Sequence, residues 1–138
     1  MFSAARLIPI FALVFFLFIL WIIVVSDSGR SNVLIDTVRA IPYGDKLGHL
    51  ILFGVLAALV SFSLKHQKKK YFGLPLGCAL VLLFALLEEL SQGFFPSTRT
   101  LDIGDVVADL VGIYCVAWMM QKRILSIKKL MSLKVFSR

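Results

Sequence analysis

Four long apolar stretches restrict what this chain can fold into more than any other feature. They run over Leu7–Val25, Leu47–Leu64, Tyr71–Gln92 and Ile103–Met120. A helix that crosses a bilayer needs about 20 mostly apolar residues. Because 59% of the residues are hydrophobic, the chain has too little polar surface for a water-soluble globule. The sequence therefore predicts an all-α fold, an integral membrane four-helix bundle.

The connections between the stretches are too short for a second domain. Residues 1–138 are therefore predicted to form a single transmembrane domain that ends in a basic tail at 121–138. Arg6 before the first stretch and small residues after it also fit a signal peptide. That stretch exceeds the about 7–15 residues of a signal-peptide core, so we expect it to remain as the first helix. Cys78 and Cys115 lie within predicted spans and are expected to be buried apolar thiols.

The charged residues are divided between the two ends of the predicted helices. Eleven Lys and Arg residues fall at one end, whereas all eight carboxylates fall at the other end with only Arg30, Arg39, Lys46 and Arg99. Positive charge near span ends stays on the cytoplasmic side, which predicts a multi-pass protein with cytoplasmic N and C termini. An anionic lipid leaflet accounts for the net charge of +7, so the expected partners are membrane lipids and not nucleic acid.

Polar side chains recur at helical spacing where the predicted spans reach the acidic end. Asp45 and His49 lie four residues apart on the second predicted helix, so they share a face. On the third predicted helix, Gln92 follows Glu89 by three residues and Glu88 by four. We therefore expect these side chains to face a common region.

The fourth predicted helix carries Asp102, Asp105 and Asp109 at spacings of three and four residues. If the hydrocarbon boundary lies near Ile103, a rise of about 1.5 Å per residue puts Asp109 roughly 9 Å inside it. Ionisable residues at such depth normally face a bundle interior or a water-filled cavity, so the sequence predicts a polar cavity open to the outer face. Arg99 is the expected counter-charge, and a purely structural ion-pair network is the alternative.

Other members of this group also have structural interpretations. Asp45 could cap the second helix, and Lys46 could anchor that helix at the interface. His49 could be a satisfied interior histidine, and Glu88 could face interfacial water. Asp102 is expected to be the N-cap of the fourth helix.

Small residues at four-residue spacing predict close helix packing beside the polar residues. Gly104, Ala108 and Gly112 form such a stripe on the fourth helix, and Gly73 and Gly77 open the third. The pattern lets helix backbones approach closely. Close packing along one edge would hold the neighbouring carboxylates at a fixed angle.

An ordered set of motifs over residues 45–112 resembles the VanZ-like family of small bacterial membrane proteins. The motifs are Asp45-Lys46-x-x-His49, Glu89-x-x-Gln92, a short Pro-containing loop with Arg99, and Asp105-x-x-x-Asp109-x-x-Gly112. The resemblance implies the bacterial inner (plasma) membrane. The name-giving member is associated with low-level resistance to the glycopeptide teicoplanin, and the family pattern implies no particular reaction. Family members often carry Asn where this chain has Asp109, although Asp also occurs, so the resemblance implies that this position needs hydrogen bonding rather than a fixed negative charge.

Our first functional hypothesis is a site for the head group of a lipid or lipid-linked cell-envelope intermediate. Arg99 with Lys46 would hold a phosphate or carboxylate. The predicted ligand-binding residues are Asp45, Lys46, His49, Glu89, Gln92, Arg99, Asp105 and Asp109. Such a protein would act on the cell envelope and change antibiotic susceptibility.

The sequence leaves open whether this site catalyses a reaction. His49 or Glu89 would serve as general acid or base, and Asp105 with Asp109 would orient them or hold a divalent metal. No nucleophile and no cofactor signature identify themselves, so a binding or shielding protein is preferred.

Two other classes of function remain. Carboxylates and a histidine in a membrane can relay protons or coordinate a cation, as in a small transporter. Four helices are few for alternating access, although a homo-oligomer would supply more, and no inverted repeat is visible. A structural assembly protein, whose acidic pocket only packs, is the third hypothesis.

Overall fold

The computed structural model describes residues 4–30, 32–64, 70–94 and 100–136. The described chain is helical apart from one short antiparallel hairpin. In chain order the elements are α1 (Ala4–Asp27), α2 (Val33–Ala40), α3 (Gly44–Ser63), β1 (Lys70–Tyr71), β2 (Leu74–Pro75), α4 (Leu76–Gln92) and α5 (Ile103–Phe136). The expected all-α fold is confirmed, and α5 continues through most of the predicted basic tail.

Three of the described helices are long and apolar enough to cross a membrane. These segments are Leu7–Asp27, Gly44–Ser63 and Ile103–Lys122. They match the first, second and fourth predicted spans closely. Many large apolar side chains of α1 are exposed, which is the surface expected of a helix that faces lipid.

The third predicted span is shorter than the sequence indicated. Residues Lys70–Pro75 form the hairpin, in which Lys70 pairs with Pro75 and the turn uses positive φ angles at Phe72 (53°) and Gly73 (78°). Helix α4 therefore begins at Leu76 and has 17 residues. At about 1.5 Å per residue it is about 26 Å long, just under the about 30 Å hydrocarbon core. A fourth membrane span, and with it the four-helix bundle, stays a prediction.

Helix α3 lies at the centre of the packing. It contacts α1, α4 and α5, and its buried Leu56 and Ala57 belong to the same apolar core as Ile113 of α5. Phe84 of α4 joins three helices, because its ring lies 5.1 Å from that of Phe16 on α1 and 5.8 Å from that of Phe53 on α3. The polar ends of the helices are thus held by one continuous core.

Two of the predicted close-packing glycines lie at helix contacts. A Cβ atom on Gly112 would collide with the carbonyl oxygen of Leu50, and one on Gly77 would collide with Ser61. Gly73 was also expected to pack closely against a helix, but it lies in the hairpin turn. No atom lies within 4 Å of the position that its Cβ would occupy. Its left-handed backbone angle is the reason for glycine there.

Two further features differ from the sequence-based expectations. Helix α2 was not predicted. The side chain of Asn32 caps this helix by accepting a hydrogen bond from the Leu34 N–H at 3.0 Å. Ile35 of α2 is buried against the rest of the molecule. Cys115 was expected to be buried but is exposed on α5, on the same outward-facing side as Tyr114 and Trp118. Cys78 is buried, as expected.

The contact at Gly112 gives a first test of the packing. We expect Gly112→Ala to lower the free energy of unfolding by about 1–3 kcal/mol, because the added methyl group meets backbone that cannot rotate away. Val111→Ala is the matched control, since Val111 is exposed on the same turn. Thermal unfolding in detergent, followed by circular dichroism, compares the two. Equal midpoints would contradict this account of the α3–α5 contact.

Candidate functional site

Three helix ends meet on one side of the structure. Because α3, α4 and α5 run in alternating directions, the start of α3, the end of α4 and the start of α5 lie together. The structure brings together the side chains of Lys46, His49, Glu88, Glu89, Gln92, Asp102, Asp105 and Asp109. We call this set the polar cluster.

Lys46 connects α3 to the start of α5. Its Nζ lies 2.5 Å from Oδ2 of Asp102 and 3.1 Å from Oδ1 of Asp105. Asp102 also accepts a hydrogen bond at 2.7 Å from the Gly104 N–H, which confirms its expected role as the N-cap of α5. The Lys46 ammonium and the Gly104 N–H lower the pKa of Asp102 below its ordinary value. Lys46 is therefore engaged by two carboxylates.

His49 lies one turn further along α3 and faces the deeper aspartate. Its Nδ1 lies 3.1 Å from Oδ1 of Asp109, and its Nε2 lies 4.0 Å from Oδ2 of Asp105. The imidazole stacks on Phe53, with ring centroids 5.8 Å apart and an interplanar angle of 15°. The apolar ring and the buried carboxylate together fix the imidazole plane.

Helix α4 contributes two buried glutamates and an amide. Gln92 donates from Nε2 to Oε1 of Glu89 at 2.9 Å and to both oxygens of Glu88, at 3.2 and 3.3 Å. Glu88 is only 5% exposed, so the alternative that it faces interfacial water is wrong. In the sequence, its position four residues before Gln92 indicated that the two side chains share one face of the helix.

One predicted site residue, Asp45, lies differently from the others. Asp45 is exposed, and it does not cap α3, because Tyr43 occupies the N-cap position with a φ of 58° and no side-chain cap bond. One Asp45 carboxylate oxygen nevertheless lies within 4.8 Å of ligand atoms of His49 and Asp105. Arg99 lies outside the described residues.

A cavity of about 490 Å³ adjoins the polar cluster. The lining from α1 and α2 is mostly apolar, including Phe18, Ile22, Leu34 and Val38, although Arg39 also belongs to it. We call this lining the apolar wall. The polar wall is the polar lining from the three helix ends, including Asp45, His49, Glu88, Gln92 and Asp105. The cavity is thus amphipathic, with ionisable groups concentrated on one side.

These features define the protein as a small helical membrane protein with buried ionisable groups gathered at one end. A family model described as VanZ/LLP1 matches residues 3–125, so the chain belongs to the VanZ/LLP1 family. The resemblance indicated by the motifs in residues 45–112 is therefore confirmed, and it extends over α1 as well. Comparison with curated proteins gave no match, and comparison with solved structures gave none either.

The ion pair between Lys46 and Asp102 makes stability depend on pH. Because the folded-state pKa of Asp102 is lowered, its charge stabilises the fold above the unfolded pKa near 3.8, and this contribution is lost as the pH falls through the lower folded value. Asp102→Asn keeps a capping side chain but removes the charge. We expect its unfolding midpoint to lie below that of the wild type at about pH 7 and to approach it at about pH 3.

Thermal unfolding in detergent at the two pH values measures this difference. Asp36→Asn, which removes an exposed carboxylate from α2, is the matched control. A deficit of Asp102→Asn that stays the same at both pH values would show that the charge of Asp102 adds nothing to stability.

Proposed function

We propose that the cavity beside the polar cluster binds a cell-envelope lipid or lipid-linked intermediate at the outer leaflet of the bacterial inner membrane. The single observation that carries this proposal is the division of the cavity into an apolar wall and a polar wall. An amphiphile matches such a division, because its chain is stabilised by the apolar side and its head group by the polar side. Family membership and the three membrane-length helices support a membrane-borne ligand.

The volume of the cavity suits a head group with the adjoining part of a chain. Ligand cavities are typically about 300–1,000 Å³, and this one has about 490 Å³. Part of its apolar wall comes from α1, which also carries many exposed apolar side chains. A bound chain can therefore leave the cavity along α1 toward the lipid.

The polar wall favours a head group that donates hydrogen bonds. Asp45, Glu88 and Asp105 offer carboxylate oxygens, which accept hydrogen bonds when ionised. Lys46 was expected to hold a phosphate, but two carboxylates already occupy its ammonium group. Hydroxyl or amine groups, as in a sugar or an amino head group, are the ligands that fit this wall. Arg39 also lines the cavity, and its guanidinium group would hold a phosphate if the head group carries one.

The charges at the two ends of α5 support one orientation in the membrane. Asp105 lies at the polar cluster, and Lys122 lies about 25 Å further along the helix axis. Lys122 Nζ lies 3.8 Å from the centroid of the Trp118 ring, an aromatic and basic pair suited to a membrane interface. We propose that this end is cytoplasmic, together with both termini, and that the polar cluster faces outward.

A protein that holds an envelope intermediate at the outer leaflet would alter its access to glycopeptides. This links the proposed site to teicoplanin susceptibility without requiring a chemical reaction. Proton or cation transport, the alternative from the sequence, would need polar groups across the bundle. Among the described residues, the buried carboxylates are all in the polar cluster, so we favour binding over transport.

Blocking the cavity tests the proposal. Ile22→Trp places a larger ring on the apolar wall, whereas Val24→Trp adds the same ring to the exposed side of α1. We expect the wild type and Val24→Trp to retain an envelope lipid through purification in mild detergent, and Ile22→Trp to lose most of it. Mass spectrometry of the extracted lipids measures the difference.

The same three proteins are then expressed at matched membrane levels in a teicoplanin-sensitive host. We expect protection from the wild type and Val24→Trp only. Identical lipids and identical susceptibility in all three would show that the cavity is not a ligand site.

A further inference from the structure

Three side chains of the polar cluster lie close enough together to bind one metal ion. One ligand atom each from His49, Glu88 and Glu89 lies within 4.8 Å of the other two. The two glutamates are 5% and 2% exposed, and the ring of His49 is largely buried. An imidazole nitrogen with two carboxylate oxygens is a common donor set for divalent transition metals.

The hydrogen bond of His49 prepares its other ring nitrogen for a ligand. Because Nδ1 lies 3.1 Å from a carboxylate oxygen of Asp109, the proton of a neutral imidazole belongs on Nδ1. Nε2 then carries the free lone pair. Metal-binding histidines are usually oriented in this way by a carboxylate on the opposite nitrogen.

Two carboxylate oxygens of the polar cluster lack a hydrogen-bond partner. Among the described residues, Oε2 of Glu89 and Oδ2 of Asp109 are buried without a hydrogen bond. Lys46 contacts Asp102 and Asp105, and His49 contacts Asp109, so none of these ion pairs reaches Oε2 of Glu89. A buried carboxylate oxygen without a partner is costly, and a cation bound at Oε2 of Glu89 would remove that cost.

We propose that His49, Glu88 and Glu89 form a binding site for a divalent transition metal, Zn²⁺ or Mn²⁺, with His49 coordinating through Nε2. Gln92 holds the two glutamates side by side, and Oε2 of Glu89 keeps its lone pairs for the metal. Asp45, His49 and Asp105 form a second group with close ligand atoms. That group is the weaker candidate, because Asp45 is exposed and Asp105 is bound to Lys46. The site does not depend on the proposed lipid, because all three ligands belong to the chain.

Metal binding by the purified full-length chain tests this proposal directly. The protein in lipid nanodiscs is treated with EDTA, dialysed, and titrated separately with Zn²⁺, Mn²⁺ and Mg²⁺, and bound metal is counted by mass spectrometry. We expect about one equivalent of Zn²⁺ or Mn²⁺ and no retained Mg²⁺, since an imidazole ligand disfavours Mg²⁺.

Substitutions then assign the ligands. Glu89→Gln is expected to abolish retention, whereas Asp36→Asn, which removes an exposed carboxylate on α2, is expected to leave it unchanged. Asp109→Leu removes the hydrogen-bond acceptor of His49 without changing a proposed ligand, and it is expected to weaken affinity by about 10–100-fold. This graded result is one that simple loss of folding would not produce.

A spectroscopic measurement on the wild type covers the case in which Glu89→Gln does not fold. Co²⁺ added to the EDTA-treated protein is expected to give visible ligand-field absorption that Zn²⁺ abolishes by competition. The proposal is overturned if the wild type retains none of these metals, or if a folded Glu89→Gln retains as much as the wild type. Loss of lipid retention with normal metal binding would contradict only the proposed function.

Discussion

The cost of burying carboxylates among apolar helices is the constraint on which this structure depends. Asp105 and Asp109 of α5 are 3% and 1% exposed, and neither is tolerable there without a partner. Lys46 and His49 of α3 supply those partners at 3.1 Å each. The two contacts lie one helical turn apart, so they set the rotation and register of α3 against α5.

The cavity follows from the same arrangement. Glu88 and Glu89 place the end of α4 beside His49 in the polar cluster, and α1 and α2 line the cavity mostly with apolar side chains. An amphipathic cavity beside fixed ionisable groups is the result. Lipid binding and metal binding are separate proposals about this one region, since the first rests on the two walls and the second on three ligand atoms.

Much of this could be predicted from the sequence, because long apolar runs and helical spacing act locally. The helices at Leu7–Asp27, Gly44–Ser63 and Ile103–Lys122 and the N-cap at Asp102 were visible in that way. The start of α4 could not be predicted in this way, because the apolar run begins within a hairpin that requires a positive φ at Gly73. The partners of Lys46 were also hidden, because they lie 56 and 59 residues away and spacing along the chain carries no such information.

A double-mutant cycle between His49 and Asp109 tests the central claim that buried pairs set the packing of α3 on α5. The free energy of unfolding in detergent is measured for the wild type, His49→Phe, Asp109→Leu and the double variant. The structure predicts that each single substitution strands a buried polar partner, so the double variant is less destabilised than the sum of the two by about 0.5–3 kcal/mol. Strict additivity would show that the two side chains do not interact in the folded protein, and that the polar cluster does not hold these helices together.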